Sequence, residues 1–178
     1  MPQQPQPGDL GLVITHGLGS DLIRLGDLIE SHRRHLPHEP YNHVIVAVTP
    51  RQAVQAEPHG ANMVNIDAYP ATTWFGWPGI TGAQRQAVSF AARKLVGIGY
   101  SWLDIGALTL DCLGWDVQRD DGKLTLIGRR INRHDRLVCS ALADLAYADA
   151  GLHLYDDGRL PGEVTPGDIA RSPRLVRL

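Results

Sequence analysis

Apolar and polar positions change their spacing several times along the chain, and each change predicts an element. Asp9 to Thr15 is a short apolar run that reads as a first strand. Gly17 and Gly19 break it, and Ser20 or Asp21 caps a helix with apolar positions Leu22, Ile23, Leu25, Leu28 and Ile29. Pro37 and Pro40 place residues 36–40 in a loop. His43 to Val48 is almost continuously apolar and rich in β-branched residues, as in a buried strand. Thr49-Pro50 turns the chain into a second strand, Ala53 to Glu57. Pro58-His59-Gly60 turns it again into a third, Asn62 to Ile66, so the three form an antiparallel meander.

Helical spacing returns at Thr81-Gly82-Ala83-Gln84, a capping box. Ala83, Ala87, Val88, Ala91 and Leu95 follow on one face, and Gly97 and Gly99 end the helix. Residues 102–113 are apolar and read as helix, and Asp120-Asp121-Gly122 marks a hairpin. Leu137-Val138 leads into good helix formers from Cys139 to Ala148, closed by Gly151. Thr165-Pro166-Gly167-Asp168 opens a last short helix, with Thr as cap and Pro at the first position. The sum is an α+β domain, an antiparallel sheet with flanking helices. Residues 1–7, Pro and Gln rich, are expected as a flexible leader, and 8–178 as one domain.

Bulk properties narrow the function classes. Of 178 residues, 43% are hydrophobic, enough for one core without staples. A net charge of −2 gives no electrostatic case for nucleic acid or anionic lipid. The local basic groups, Arg33-Arg34, Arg129-Arg130 and Arg171, Arg174 and Arg177, read as solvated faces. No apolar run is long enough for a transmembrane segment. The N-terminus lacks a basic region followed by an apolar one, so no signal peptide is expected and the cytoplasm is the default setting. A phage virion or lysis-released product would escape that default.

Two cysteines, Cys112 and Cys139, do not make a disulfide scaffold. Cys112 sits in an apolar stretch and reads as core. Cys139 opens a helix, where partial positive charge and unpaired amides favour a thiolate. His43 opens a buried strand after a Pro-rich loop, a place from which an imidazole can face a cleft. A thiolate–imidazole pair needs a third group to orient the ring. Gln55 and Glu57 share one face of the next strand, and either can accept a hydrogen bond from the imidazole. His32, His35 and His38 recur every third residue, but Pro37 interrupts any shared helix face, so no metal is expected. Trp74, Trp77 and Trp102 either line a cleft or pack.

Four segments, in chain order, resemble the YiiX/YebB-type branch of the NlpC superfamily of papain-like hydrolases. They are PGDLGLVITHG, YNHVIVAV, AVQAEPHGANMV and RLVCSALADLAYADAG. LVGIGYSWLD and VTPGDIARSP are similar to further family segments, leaving the hairpin around Gly122 as a local insertion. Histidine precedes cysteine, the circularly permuted order that lecithin retinol acyltransferase and its relatives share. The resemblance implies a permuted papain-like fold with Cys139 as nucleophile and His43 as base. The family's usual carboxylate position falls on Gln55, with Glu57 as runner-up and His59 behind it. It implies a peptide, cell-wall peptide or lipid-linked amide as substrate, and no cofactor. A glutamine where a carboxylate is usual keeps two alternatives open: a catalytically weak or inactive structural or interaction domain, and an acyltransferase.

Overall fold

A computed structural model describes residues 4–16, 18–100, 136–158 and 164–178. The expected helix at 102–113, Cys112, Trp102 and the Gly122 hairpin lie outside the described residues. The chain folds as a mixed α+β domain around a six-stranded antiparallel sheet. Its strands are β1 (Leu10–Val13), β2 (His43–Thr49), β3 (Gln52–Glu57), β4 (Gly60–Asn65), β5 (Thr73–Gly76) and β8 (Val176–Arg177), in the order β4-β3-β2-β1-β5-β8. A separate parallel pair joins β6 (Gly99–Tyr100) to β7 (Arg136–Leu137). Among the described residues the helices are α1 (Leu18–Arg34), α2 (Gly82–Lys94), α3 (Cys139–Asp149) and α4 (Pro166–Arg171).

The predicted meander is β2-β3-β4, and the unbroken apolar run of β2 is buried on both faces. Val44, Val46 and Val48 join Leu10, Leu12 and Val54 against α2 and α3 in the main core. Ile45 and Ala53 meet Val13, Trp74 and Tyr69 on the other side. Trp77 stacks on Tyr147 with ring centroids 6.1 Å apart. Trp74 and Trp77 both pack, each partly buried, against these two clusters.

Several boundaries differ from expectation for local reasons. Helix α1 begins at Leu18 and takes in Gly19, expected as a breaker; first-turn amides lack intrahelical acceptors anyway, so a glycine there costs less. β5 was not expected from its four residues, which lie between Pro70 and Pro78; pairing with β1 and β8 makes it a strand. The expected leader ends in a turn: the Gln6 amide donates to Asp9 Oδ2 (2.7 Å), and Arg85 pairs with Asp9 Oδ1 at 2.6 Å. Arg171, expected as solvated, is mostly buried between Asp27 (3.1 Å) and Asp168 (3.3 Å). Gly167, in the first turn of α4, lies against the Asp27 carboxylate, which leaves no room for a side chain. Arg174 does reach the surface, where it pairs with Asp156 and covers the Trp77 ring.

Gly11 shows how closely the second face is packed. A Cβ there would lie 2.7 Å from Ile45 Cγ1, 2.7 Å from Thr72 Cγ2 and 3.0 Å from Trp74 Cη2. Gly11→Ala is expected to destabilise the fold by about 1–3 kcal/mol through overpacking. Urea unfolding of the variant against the parent measures it, and an unchanged midpoint would show that the three side chains can shift freely.

Candidate functional site

The site is assembled at the end of the sheet where β2 begins. Asn42, just before it, ties β1 to β2: its Oδ1 accepts from the Thr15 amide (2.7 Å) and its Nδ2 donates to the Thr15 carbonyl (2.8 Å). His43 follows, paired with Val13, and is 7% exposed. On the next strand Gln55 is opposite Ile45, so Gln55 and His43 are diagonal neighbours on one face, within reach of long side chains. His43 Nε2 lies 3.0 Å from Gln55 Oε1.

Cys139 arrives from the other side. β7 pairs with β6, and the segment leading into β6 hooks onto β4, the Ala61 amide donating to the Ile98 carbonyl at 2.8 Å. The chain leaves β7 through Val138 and enters α3 at Cys139. Val138 is an N-cap without a polar side chain, so the cap residue itself takes none of the first-turn amides. The Ser140 amide serves the Cys139 sulfur instead. The thiol of Cys139 hydrogen-bonds the His43 ring. Since Gln55 occupies Nε2, the nitrogen left for sulfur is Nδ1.

Electrostatics favour charge separation in this pair. Burial alone would push the Cys139 thiol up. The hydrogen bond and positive charge of His43, with the backbone amides of Val44 and Ser140, outweigh it and hold the thiol below its ordinary value. Burial alone would push His43 down. The hydrogen bond and charge of Cys139, then the Gln55 hydrogen bond and the Glu57 charge, raise it instead. Both shifts favour the thiolate–imidazolium pair over the neutral thiol and imidazole. Cys139 is a free thiol and only 2% exposed, packed into the main core beside the valines of β2.

The pattern of apolar residues did not reveal two members of the site. The Tyr69 hydroxyl, beyond the 3₁₀ turn Ile66–Ala68, lies 2.8 Å from Gln55 Oε1 and 3.1 Å from Glu57 Oε1. Its ring centroid is 5.8 Å from that of His43, and burial first, then the Glu57 charge, push its hydroxyl up to about 12. Asn62 Oδ1 accepts from Gln55 Nε2 at 3.3 Å, while its Nδ2 faces Glu57 Oε2 (3.4 Å) and the Gly60 carbonyl (3.2 Å). Glu57 thus touches Tyr69 and Asn62 and acts on His43 through charge. His59 is exposed on the β3–β4 turn.

No family model matches the chain, and no curated protein matches it. Among solved structures it is similar to a metalloprotein, YiiX from Escherichia coli O157:H7, with a TM-score of 0.64 at 16% sequence identity over 99% of this chain and 97% of that one. The likeness establishes a YiiX-type fold. Among the described residues no group of three or more His, Cys, Asp or Glu is placed to hold a metal ion. His38 Nδ1 instead faces Asp27 at 3.5 Å, and the His35 ring bonds the His32 carbonyl at 3.1 Å. These donors do not fit a metal centre. No helix among the described residues is long and apolar enough to cross a membrane.

The opposed shifts give a signed expectation for pH. In His43→Asn, both His43 contributions to the thiolate vanish while burial remains, so the Cys139 titration should move to higher pH, past an ordinary thiol. The difference in ultraviolet thiolate absorbance between parent and Cys139→Ser proteins follows it. A midpoint unmoved by His43→Asn would show that the two groups are not paired.

Proposed function

We propose that this protein is a thiol-dependent hydrolase of the permuted papain-like kind, with Cys139 as nucleophile, His43 as base and Gln55 as the orienting residue. One observation carries the reading: a buried imidazole bonded on one side to a thiol at an uncapped helix N-terminus and on the other to an amide oxygen. The order of histidine before cysteine, and the resemblance of the surrounding segments, support it further.

In this mechanism the Cys139 thiolate attacks an amide carbonyl carbon. The carbonyl oxygen takes the negative charge and is held by first-turn amides of α3. The proton on His43 Nδ1 passes to the departing nitrogen as the C–N bond breaks, leaving a thioester. Water then gives a proton to Nδ1 and attacks the thioester, and the thiolate departs with the acid released. Gln55 accepts from Nε2–H throughout, which keeps Nδ1 directed at the sulfur. The substrate class is an amide within a peptide, a cell-wall peptide or a lipid-linked amide. YiiX is described as a metalloprotein, but no step here passes through a metal.

The 2% exposure of Cys139 favours a second reading, an inactive domain that keeps the fold for structure or interaction. A panel of fluorogenic peptides, muropeptides and N-acyl amines separates the two. The hydrolase reading expects turnover on one class, abolished by Cys139→Ala, with His43→Asn and Gln55→Ala each lowering kcat about 100-fold or more. Turnover that survives Cys139→Ala would overturn the assignment. No turnover on any class, with Cys139 unreactive to a small alkylating agent, would favour the inactive domain.

A further inference from the structure

Gln55 differs from a carboxylate in one respect that matters to the ring it holds. A carboxylate accepts at both ends, whereas an amide accepts at oxygen and donates at nitrogen. If Gln55 presented its nitrogen to a neutral His43, Nε2 would have to accept. The ring proton would then sit on Nδ1, facing the sulfur, and no lone pair would be left to receive the thiol proton. The direction of the Gln55 amide therefore decides which imidazole tautomer exists.

We propose that Asn62 is the positioning residue that fixes this direction and, through Gln55, the tautomer of His43. Asn62 stands directly opposite Gln55 in the β3–β4 ladder. Its amide is oriented by two groups that only accept: the Gly60 backbone carbonyl at 3.2 Å and the Glu57 carboxylate at 3.4 Å. The Asn62 nitrogen must face them, so its oxygen faces Gln55 Nε2 at 3.3 Å. That oxygen accepts only, so Gln55 turns its nitrogen to Asn62 and its oxygen to His43 Nε2 at 3.0 Å. Nε2 carries the proton and Nδ1 is free for the thiol. A backbone carbonyl thus sets the polarity of two amides and one imidazole in sequence.

Tyr69 cannot supply this direction. Its hydroxyl both donates and accepts, and it has one proton for two acceptors, Gln55 Oε1 at 2.8 Å and Glu57 Oε1 at 3.1 Å. It can adapt to either orientation of Gln55. The Gly60 carbonyl cannot, because the hairpin backbone fixes it: Gly60 has φ +109°, and a side chain there would come 2.9 Å from the Ile98 carbonyl.

The proposal rests on the reading of His43 as base, but its test needs no turnover. In a Cys139→Ser background the ring is free of the thiolate charge, and nitrogen-15 NMR at a pH where it is neutral reports the tautomer. Asn62 intact should give Nε2–H. Asn62→Leu should give a mixture with a substantial Nδ1–H population, and adding Gln55→Glu should restore Nε2–H, since a carboxylate has no donating end. Asn62→Asp, which still offers an oxygen to Gln55, should keep Nε2–H and, paired with Asn62→Ala, serves as the comparison if Asn62→Leu does not fold. In the active protein Asn62→Leu should lower kcat about tenfold, the effect of one misplaced buried hydrogen bond, with recovery in the Gln55→Glu double variant. Pure Nε2–H in folded Asn62→Leu or Asn62→Ala overturns the proposal, and so does failure of Gln55→Glu to restore it. Tautomer control without turnover on any amide would leave it standing while removing the hydrolase reading.

Discussion

A buried imidazole must have both nitrogens satisfied, and that requirement on His43 organises this end of the molecule. With the ring only 7% exposed, leaving either nitrogen without a partner is costly. Gln55 takes one and Cys139 the other. These partners lie on elements far apart in sequence, one on the next strand and one at the start of a helix near the end of the chain. Holding the ring therefore fixes two relationships at once: the register of β2 with β3, and the approach of α3 to the sheet.

Each relationship is secured away from the ring. The register is set by the ladder from Ile45 and Gln55 to Ala47 and Ala53, and Asn42 clamps the beginning of β2 to the end of β1. The helix is set by apolar packing of Leu142, Ala143 and Tyr147 on the valine face of β2, by Ile23 of α1 against Val138 and Ala141, and by the hydroxyl of Tyr147, which donates to the Gly8 carbonyl at 2.6 Å. That last contact passes to Asp9 and Arg85 through the backbone, so α2, α3 and the first strand hold a common position. Cys139 and His43 are thus positioned by elements that pack in the core.

The sequence made the scaffold legible where one period dominates. The apolar run of β2, the two turns of the meander and the capping box at Thr81 each specify an element alone, and each appears. β5 was hidden because four residues between prolines have no period; only its neighbours make it a strand. The site was legible in part. Cys139, His43 and Gln55 come together, but spacing alone does not select Gln55. Extending the register by two residues would place Glu57 opposite His43, and only the resemblance points to Gln55. Asn62 was within reach, since a two-residue loop at Pro58-His59 places it across from Gln55. Tyr69 was not, because a tyrosine beyond an irregular turn carries no sign of where its hydroxyl points. The burial of Cys139 was equally hidden, as it depends on how closely α3 meets β2.

The glutamine is the point at which the chain departs from the carboxylate usual in the family it resembles, and the surroundings explain how the ring tolerates it. A carboxylate at position 55 would put a second negative charge beside the thiolate and near Glu57, in a place almost without water. Gln55 accepts the same hydrogen bond without that charge. The charge has not been lost: Glu57, half-buried and linked to the same network by Tyr69 and Asn62, still raises the His43 pKa through space. Two tasks that one carboxylate would perform are divided here, with hydrogen bonding at Gln55 and charge at Glu57. The division lowers desolvation, because the charged member keeps its access to solvent. It also introduces a demand that a carboxylate never makes, for an amide must be told which end to present, and only a neighbour of fixed polarity can tell it.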